Sequence, residues 1–226
     1  MRKIINAIPN LLTLINVSIG GIGIIYVLTI DATIGAYFIW AAGVFDYLDG
    51  FAARVLKATS PIGKQLDSLA DMVSFGALPA LIMYKMLENT SENEMLPFLG
   101  LLIMAFSALR LAKFNIDERQ STAFFGLPTP ANALFISSLA LIPYTFLNSA
   151  VLVGITVVFS LLLVAEVKLI AIKFKNFGWG DNKWKFIFLG LCLVIITVLK
   201  IESIPILVIT YVVYSVLINY IVDRNN

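Results

Sequence analysis

Long apolar runs separated by short polar connectors are the feature that most constrains the fold of this chain. Hydrophobic residues make up 60% of its 226 residues, well above their share in an ordinary soluble domain. The hydrocarbon core of a bilayer, about 30 Å thick, needs roughly 20 apolar residues for each helical crossing. The sequence therefore predicts an all-α, polytopic membrane helical bundle with about eight transmembrane helices. The predicted crossings are residues 9–30, 33–56, 62–87, 95–115, 128–147, 150–172, 184–200 and 203–222.

The placement of lysine and arginine predicts the orientation of these helices. If the N-terminus is cytoplasmic, all of the 16 basic residues except Lys85 and Lys200 fall on the inner side of the membrane. Cytoplasmic loops of membrane proteins are enriched in these residues. The pattern predicts that both termini are cytoplasmic and that the number of crossings is even. No connector is long enough to form a soluble domain, so residues 1–226 are predicted to be a single integral membrane domain.

The scarcity of two residue types limits the chemistry that the chain can perform. It contains no histidine, which removes the commonest general base and the commonest zinc ligand. Its one cysteine, Cys192, lies in an apolar run and has no partner for an internal disulfide. Acid–base chemistry must therefore use carboxylates, lysine, tyrosine or water.

The segment DYLDGFAARVLKATSPIGKQLDSLAD carries four aspartates between two apolar runs. At 100° per residue, Asp46 and Asp49 lie about 60° apart around the second predicted crossing. Asp67 and Asp71 lie about 40° apart around the third, so each pair shares one helix face. Residues 59–61, Thr-Ser-Pro, are typical of a turn followed by a helix start. The two helices are therefore predicted to be antiparallel neighbours, with both carboxylate faces directed into one cavity near the cytoplasmic surface.

Four carboxylates in one partly desolvated space repel one another, so either most of them are protonated or cations are bound. Oxygen ligands without histidine or thiolate favour hard ions such as magnesium, manganese or calcium. Two pairs suit two metal ions, a recurring arrangement in displacement at phosphorus. Gly50 and Gly63 leave room for a nucleotide to approach the backbone, and Arg54 could pair with a phosphate.

Two other classes of protein stay open on this evidence. Acidic residues in membrane helices also form cation or proton pathways in transporters, although transporter sites usually lie near the midplane of the bilayer. A non-catalytic membrane scaffold is the other alternative, but it leaves the aspartate spacing without an explanation.

The aspartate pattern resembles the signature of a known family. Asp46-x2-Asp49-Gly50-x2-Ala53-Arg54-x8-Gly63-x3-Asp67-x3-Asp71 is similar at every fixed position to that of the CDP-alcohol phosphatidyltransferases, and PNLLTLIN, residues 9–16, is similar to their first-helix element. The resemblance implies that two divalent ions, Mg²⁺ or Mn²⁺, are held by Asp46, Asp49, Asp67 and Asp71. It implies that Asp71 also takes the proton from the acceptor hydroxyl. It further implies contacts to the CDP group from Asn10, Thr13, Gly50, Arg54 and Gly63.

Three further stretches are similar to the phosphatidylserine synthase branch of that family: SFGALPA at 74–80, LRLAKFN at 109–115 and FFGLPTPANA at 124–133. This resemblance implies transfer of a phosphatidyl group from CDP-diacylglycerol, or an ether-lipid equivalent, to L-serine. The serine hydroxyl would attack the β-phosphorus in line, giving phosphatidylserine and CMP. Glycerol 3-phosphate or an inositol phosphate is the alternative acceptor within the family.

Residues in two of these stretches are candidates for the acceptor side. Arg110 and Lys113 bring two positive charges to the end of the bundle that carries the aspartates, where they could bind a phosphate or the carboxylate of serine. Enrichment of basic residues at cytoplasmic helix ends explains them as well. Asn115 could bond an amino-acid head group or cap its helix. Pro128 and Pro130 are predicted to set the start of the fifth helix.

The resemblance also implies the domain organisation of the chain and its binding partners. Six crossings are the usual family core, so a catalytic core is expected over about residues 1–172 and additional helices over about 184–222. A homodimer is expected, with the active site at the cytoplasmic side of the membrane. The expected partners are the CDP-lipid, L-serine and membrane lipids, and no nucleic-acid partner is expected.

Overall fold

The computed structural model describes residues 2–117, 124–142, 147–170 and 178–224. The α-helices are α1 (Arg2–Thr29), α2 (Ala32–Val55), α3 (Pro61–Asp71), α4 (Leu78–Thr90), α5 (Leu101–Ile116), α6 (Thr129–Leu139), α7 (Ser149–Val164), α8 (Trp179–Leu199) and α9 (Ser203–Arg224). A π-helical segment, Met72–Ala77, joins α3 to α4, and 3-10 turns cover Leu96–Gly100 and Lys200–Glu202. Two short antiparallel strands, β1 (Phe124–Phe125) and β2 (Lys168–Leu169), pair with each other.

The all-helical membrane architecture predicted from the sequence is confirmed in the part of the chain that is described. Five helical stretches are long and apolar enough to cross a membrane: Ala7–Thr29, Pro61–Thr90, Leu96–Ile116, Asn182–Leu199 and Ser203–Ile221. All five correspond to predicted crossings. The total of eight crossings and the cytoplasmic position of the termini stay predictions.

Two predicted crossings have the wrong extent. The helix expected over 128–147 is α6, which ends at Leu139 and has 11 residues. At 1.5 Å per residue it is about 16 Å long, roughly half of the bilayer core; residues 143–146 lie outside the described part. The helix expected over 150–172 is α7, which ends at Val164 because Ala165 is extended and the chain then forms β2. Residues 171–172 are not among those described.

Side-chain and proline signals set the helix starts around the aspartates as predicted. Ser60 caps α3, accepting a hydrogen bond from the Gly63 N–H at 3.0 Å, and Pro61 occupies the first turn. Pro128 and Pro130 stand at the start of α6 in the same way. The turn predicted from Thr-Ser-Pro is therefore confirmed, and it fixes where α3 begins relative to Asp67.

Helices α2 and α3, which carry the aspartates, make little direct contact with each other. Helix α1 packs along α2 and also on α3, whereas α2 contacts α4 and the π-helical segment more than α3. At the end opposite the aspartates the helices are close, since a Cβ at Gly35 would lie 2.9 Å from the Ile82 side chain. The antiparallel arrangement predicted for α2 and the third crossing is present, and a cavity lies between α1, α2 and α3 at the end that carries the aspartates.

The chain between β1 and α6 is held against the end of α7 by backbone hydrogen bonds. The Gly126 N–H donates to the Val167 carbonyl at 2.9 Å, and the Leu127 N–H donates to the Leu162 carbonyl at 2.8 Å. Gly126 has a φ of +77°, and a Cβ there would lie 2.6 Å from the Leu163 carbonyl oxygen. Only glycine fits this position without displacing backbone.

We expect Gly126→Ala to destabilise the protein by about 1–3 kcal/mol, because alanine is strained at positive φ and its Cβ meets backbone. The measurement is the thermal unfolding midpoint in detergent, which should fall by several degrees. Gly154→Ala is the matched control, since a Cβ at Gly154 in α7 meets nothing within 4 Å. Equal midpoints for the two variants would contradict this account of Gly126.

Candidate active site

The four aspartates of α2 and α3 meet at one point, as the helix periodicity predicted. One carboxylate oxygen from each of Asp46, Asp49 and Asp67 lies within 4.8 Å of the others. The carboxyl group of Asp71 is in hydrogen-bonding contact with that of Asp46. Four aspartates from two helices, spread over 26 positions of the sequence, thus form one carboxylate cluster.

The cluster is suited to divalent cations by its donor atoms and by their burial. Asp49 is buried, and the Oδ1 atom of Asp71 is buried without a hydrogen-bond partner among the described residues. A buried carboxylate oxygen without a donor is costly, and a hard cation supplies the missing partner. The all-oxygen donor set fits magnesium or manganese.

Helix α1 contributes a side chain to the cluster. The hydroxyl group of Thr13 donates a hydrogen bond to Oδ2 of Asp49 at 2.7 Å, and the Pro9 carbonyl is a second acceptor at 3.0 Å. Thr13 is buried, as is the Asp49 carboxylate that it contacts. The threonine therefore holds one carboxylate of the cluster in a fixed orientation.

A cavity of about 220 Å³ opens beside the cluster between α1, α2 and α3. Its lining includes four of the five residues predicted to contact CDP, which are Asn10, Thr13, Gly50 and Gly63, together with Asp49 and Asp67. Lys64 also lines it, and its Nζ donates to the Asn115 carbonyl at 3.2 Å. Lys64 was predicted only to lie on the cytoplasmic side, and its position directly after Gly63 is the sequence signal for a role in the cavity.

The two glycines of the cavity are positions where a side chain would intrude. A Cβ at Gly63 would lie 3.1 Å from the Asn10 side-chain oxygen, and one at Gly50 would lie 3.4 Å from Nη1 of Arg54. Arg54, the fifth residue predicted to contact CDP, therefore places its guanidinium beside Gly50 at the edge of the cavity. It forms no ion pair with any residue in the described ranges, so its charge is available to an anion.

An apolar groove of about 380 Å³ lies on the other side of α2, between α2 and α6. Trp40, Gly43 and Phe75 form part of its lining, and Asp46 of the carboxylate cluster lines it as well. Tyr47, which also lines the groove, is 65% exposed on the outer surface of the bundle. The groove therefore connects the carboxylate cluster with the face of the protein that lipid would cover.

The three residues predicted for the acceptor do not lie together. Arg110 and Lys113, one turn apart on α5, line a second cavity of about 190 Å³ whose wall also includes Asp117 and Glu166. The Nδ2 group of Asn115 instead donates to the Ser68 hydroxyl oxygen at 2.9 Å, and so contacts α3. The structure thus separates Asn115 from the other two and adds two acidic residues that the sequence analysis did not single out.

Arg110 connects this second cavity with the carboxylate cluster. Its side chain is buried, with the guanidinium carbon 4.6 Å from the centroid of the Phe114 ring. Its Nε has no hydrogen-bond partner among the described residues, while its charge interacts with that of Asp71. A buried guanidinium with an unused donor is a binding position for an anion.

Comparison with known proteins agrees with this arrangement. The model of the CDP-alcohol phosphatidyltransferase family matches residues 6–165. The chain is 30% identical to a CDP-diacylglycerol–serine O-phosphatidyltransferase of Helicobacter pylori strain J99, over 92% of this chain and 89% of that protein. It is 34% identical to the protein of the same name from Bacillus subtilis, over 72% of this chain and 89% of that protein. It is 35% identical to an archaetidylserine synthase of Methanothermobacter thermautotrophicus, over 72% of this chain and 69% of that protein.

We expect Asp67→Asn to weaken binding of Mn²⁺ to the purified protein by roughly tenfold or more, because it removes one anionic oxygen from the cluster. Isothermal titration calorimetry in detergent measures the affinity directly. Asp31→Asn is the matched control, since Asp31 caps α2 at the opposite end and asparagine caps helices equally well. Unchanged Mn²⁺ affinity in Asp67→Asn would contradict the cation site.

Proposed function

The chain belongs to the CDP-alcohol phosphatidyltransferase family, and we propose that it transfers a phosphatidyl group, or its ether-lipid equivalent, from a CDP-linked lipid to L-serine. The observation that carries the chemistry is the convergence of Asp46, Asp49, Asp67 and Asp71 beside a nucleotide-sized opening. Serine as the acceptor is supported by the relatives, which are named for transfer to serine or for archaetidylserine synthesis.

The two openings on either side of α2 support binding of the donor lipid. Asp49 lines the polar cavity, whereas Asp46 lines the apolar groove. A CDP-lipid has a polar nucleotide at one end, apolar chains at the other and a diphosphate between them. With cytidine in the cavity and a hydrocarbon chain in the groove, the diphosphate would lie along the face of α2 that carries both aspartates. Arg54 and Lys64 would contribute positive charge to the phosphates.

Two divalent ions, Mg²⁺ or Mn²⁺, would be held by Asp46, Asp49, Asp67 and Asp71. Such ions neutralise phosphate charge and stabilise a leaving oxygen when they are bound. The chain's own contribution is to hold the carboxylates in place, and the hydrogen bond from Thr13 does this for Asp49. Hydrogen-bonding contact between Asp46 and Asp71 places the proposed base against the cluster.

The proposed reaction is a single in-line displacement. The serine hydroxyl oxygen forms a bond to the β-phosphorus, the bond from that phosphorus to the bridging oxygen breaks, and CMP leaves with the electron pair. Asp71 accepts the hydroxyl proton, a role that a carboxylate can fill in a chain without histidine. Arg110, whose charge interacts with Asp71, would orient the acceptor beside this base.

The site would lie at the cytoplasmic side of the membrane. The support is the placement of basic residues, since Arg54, Lys64, Arg110 and Lys113 all lie at the end of the bundle that carries the aspartates. The CDP-linked donor would enter sideways from the lipid and the water-soluble acceptor would enter from the cytoplasm.

The assay that tests this function is CMP release by purified protein in detergent with Mg²⁺ or Mn²⁺. The donors are CDP-diacylglycerol and its ether-linked equivalent, and the acceptors are L-serine, glycerol 3-phosphate and an inositol phosphate in parallel. We expect release only with serine. Release with a different acceptor would overturn the choice of serine and keep the aspartate chemistry. No release with any acceptor from folded protein would favour a cation transporter.

We expect Asp71→Asn to lower kcat by about 10²-fold or more, because general base catalysis contributes roughly 10²–10⁴. Binding of the CDP-lipid should be partly retained, since the other three aspartates remain. The measurements are kcat in the CMP assay and donor affinity by calorimetry, with Asp31→Asn as the control. Loss of binding and turnover by the same factor would argue against a base role for Asp71.

A further inference from the structure

The second cavity combines both signs of charge in a small volume. It measures about 190 Å³ and lies between the end of α5, the chain before α6 and the end of α7. Arg110 and Lys113 contribute positive charge to it, and Asp117 and Glu166 contribute negative charge. At about 30 Å³ per water molecule, this is room for about six waters or for one small polar molecule.

The positive side of the cavity is suited to an anion. Arg110 is 6% exposed, and its Nε is buried without a hydrogen-bond partner in the described ranges. Burying a cation with an unused donor is costly unless a ligand supplies the acceptor. A guanidinium binds a carboxylate with two parallel hydrogen bonds, so a carboxylate is a matching ligand. Lys113, one turn along α5, would add a second positive charge to the same group.

The negative side is positioned by backbone structure. Glu166 lies between the extended residue Ala165 and strand β2, whose pairing with β1 sets the course of this segment. Hydrogen bonds from Gly126 and Leu127 to the carbonyls of Val167 and Leu162 hold it on both sides of Glu166. Asp117 follows the last residue of α5. Each carboxylate has two oxygens and about four acceptor sites, so it can bind an ammonium group besides other partners.

We propose that this cavity is the acceptor site and that it selects a zwitterionic amino acid, binding the carboxylate at Arg110 and Lys113 and the ammonium group at Glu166 and Asp117. The inference rests on the proposed function and names the residues that determine its acceptor. It adds a reason for preferring an amino acid over glycerol 3-phosphate or an inositol phosphate, because the two carboxylates attract an ammonium group and offset the attraction of Arg110 and Lys113 for a phosphate dianion.

The position of Arg110 determines how the bound acceptor is oriented relative to Asp71. Arg110 lines the cavity, and helix α5, which carries it, packs against the π-helical segment that begins directly after Asp71. The charges of Arg110 and Asp71 also interact. With its carboxylate on Arg110, a small amino acid would lie on the side of the bundle that carries Asp71, and its hydroxyl group would turn toward the carboxylate cluster. In the reaction that follows, the hydroxyl proton passes to Asp71 and the hydroxyl oxygen bonds to the β-phosphorus. The bond from that phosphorus to the bridging oxygen breaks, CMP leaves with the electron pair, and the ammonium group stays on Glu166.

The experiment compares Glu166→Gln and Asp117→Asn with the wild-type protein. We expect the KM for serine to rise about tenfold or more in Glu166→Gln, because a charged hydrogen bond to the ammonium group is lost. The KM for CDP-diacylglycerol and the unfolding midpoint should stay within about twofold and about two degrees of wild type, since the donor cavity is formed by other helices. Glu92→Gln is the control, because Glu92 is exposed in the α4–α5 connection.

The outcomes separate this inference from the function on which it rests. Wild-type protein without serine-dependent CMP release would overturn the proposed function. Wild-type turnover with an unchanged KM for serine in both variants would overturn only the zwitterion site. A KM that rises equally for serine and for the donor would assign Glu166 a structural role and would also overturn the inference.

Discussion

The mutual repulsion of four carboxylates at one end of a membrane bundle is the constraint on which the rest of the structure depends. At separations near 4.8 Å, two unit charges repel by roughly 3 kcal/mol at an effective dielectric constant near 20. A few such pairs are comparable with the whole stability of a domain, about 5–15 kcal/mol. The hydrogen bond from Thr13 to Asp49 and the charge of Arg110 near Asp71 offset part of this repulsion. Bound divalent cations would offset most of it, so cation binding and stability are coupled.

Three openings reach the carboxylate cluster from different directions, and this distinguishes the site from an ion pathway. A polar cavity approaches Asp49, an apolar groove approaches Asp46, and the charged cavity reaches Asp71 through Arg110. A cation pathway needs one continuous polar route, and it has no use for a hydrocarbon groove that ends at a carboxylate. The proposed reaction between a nucleotide-linked lipid and a small polar acceptor would use all three openings.

The parts of the site that were predictable are those set by helix periodicity and local capping. The spacing of Asp46, Asp49, Asp67 and Asp71 placed each pair on one helix face, and Ser60-Pro61 placed the start of α3. The same rule explains why Asn115 lies apart from Arg110: it follows Arg110 by five residues, about 140° around the helix, so the two cannot share a face. Glu166 could not be predicted, because the pairing of β1 with β2 joins residues more than 40 apart in sequence. The predicted crossing ran on to residue 172 because the prediction relied on apolar composition alone.

Contacts with residues 168–170 give helix α9 a role besides crossing the membrane. The family model ends at residue 165, and α9 lies beyond it, yet three polar side chains on one face of α9 contact the chain that follows Glu166. Tyr211 donates to the Ile170 carbonyl at 3.0 Å, Ser215 accepts from the Ile170 N–H at 3.2 Å, and Asn219 donates to the Lys168 carbonyl at 2.6 Å. These bonds satisfy backbone groups that a strand as short as β2 leaves unpaired. Helix α9 therefore holds the segment that forms the acidic wall of the second cavity, and the match to the Helicobacter pylori relative, which covers 92% of this chain, extends into these helices.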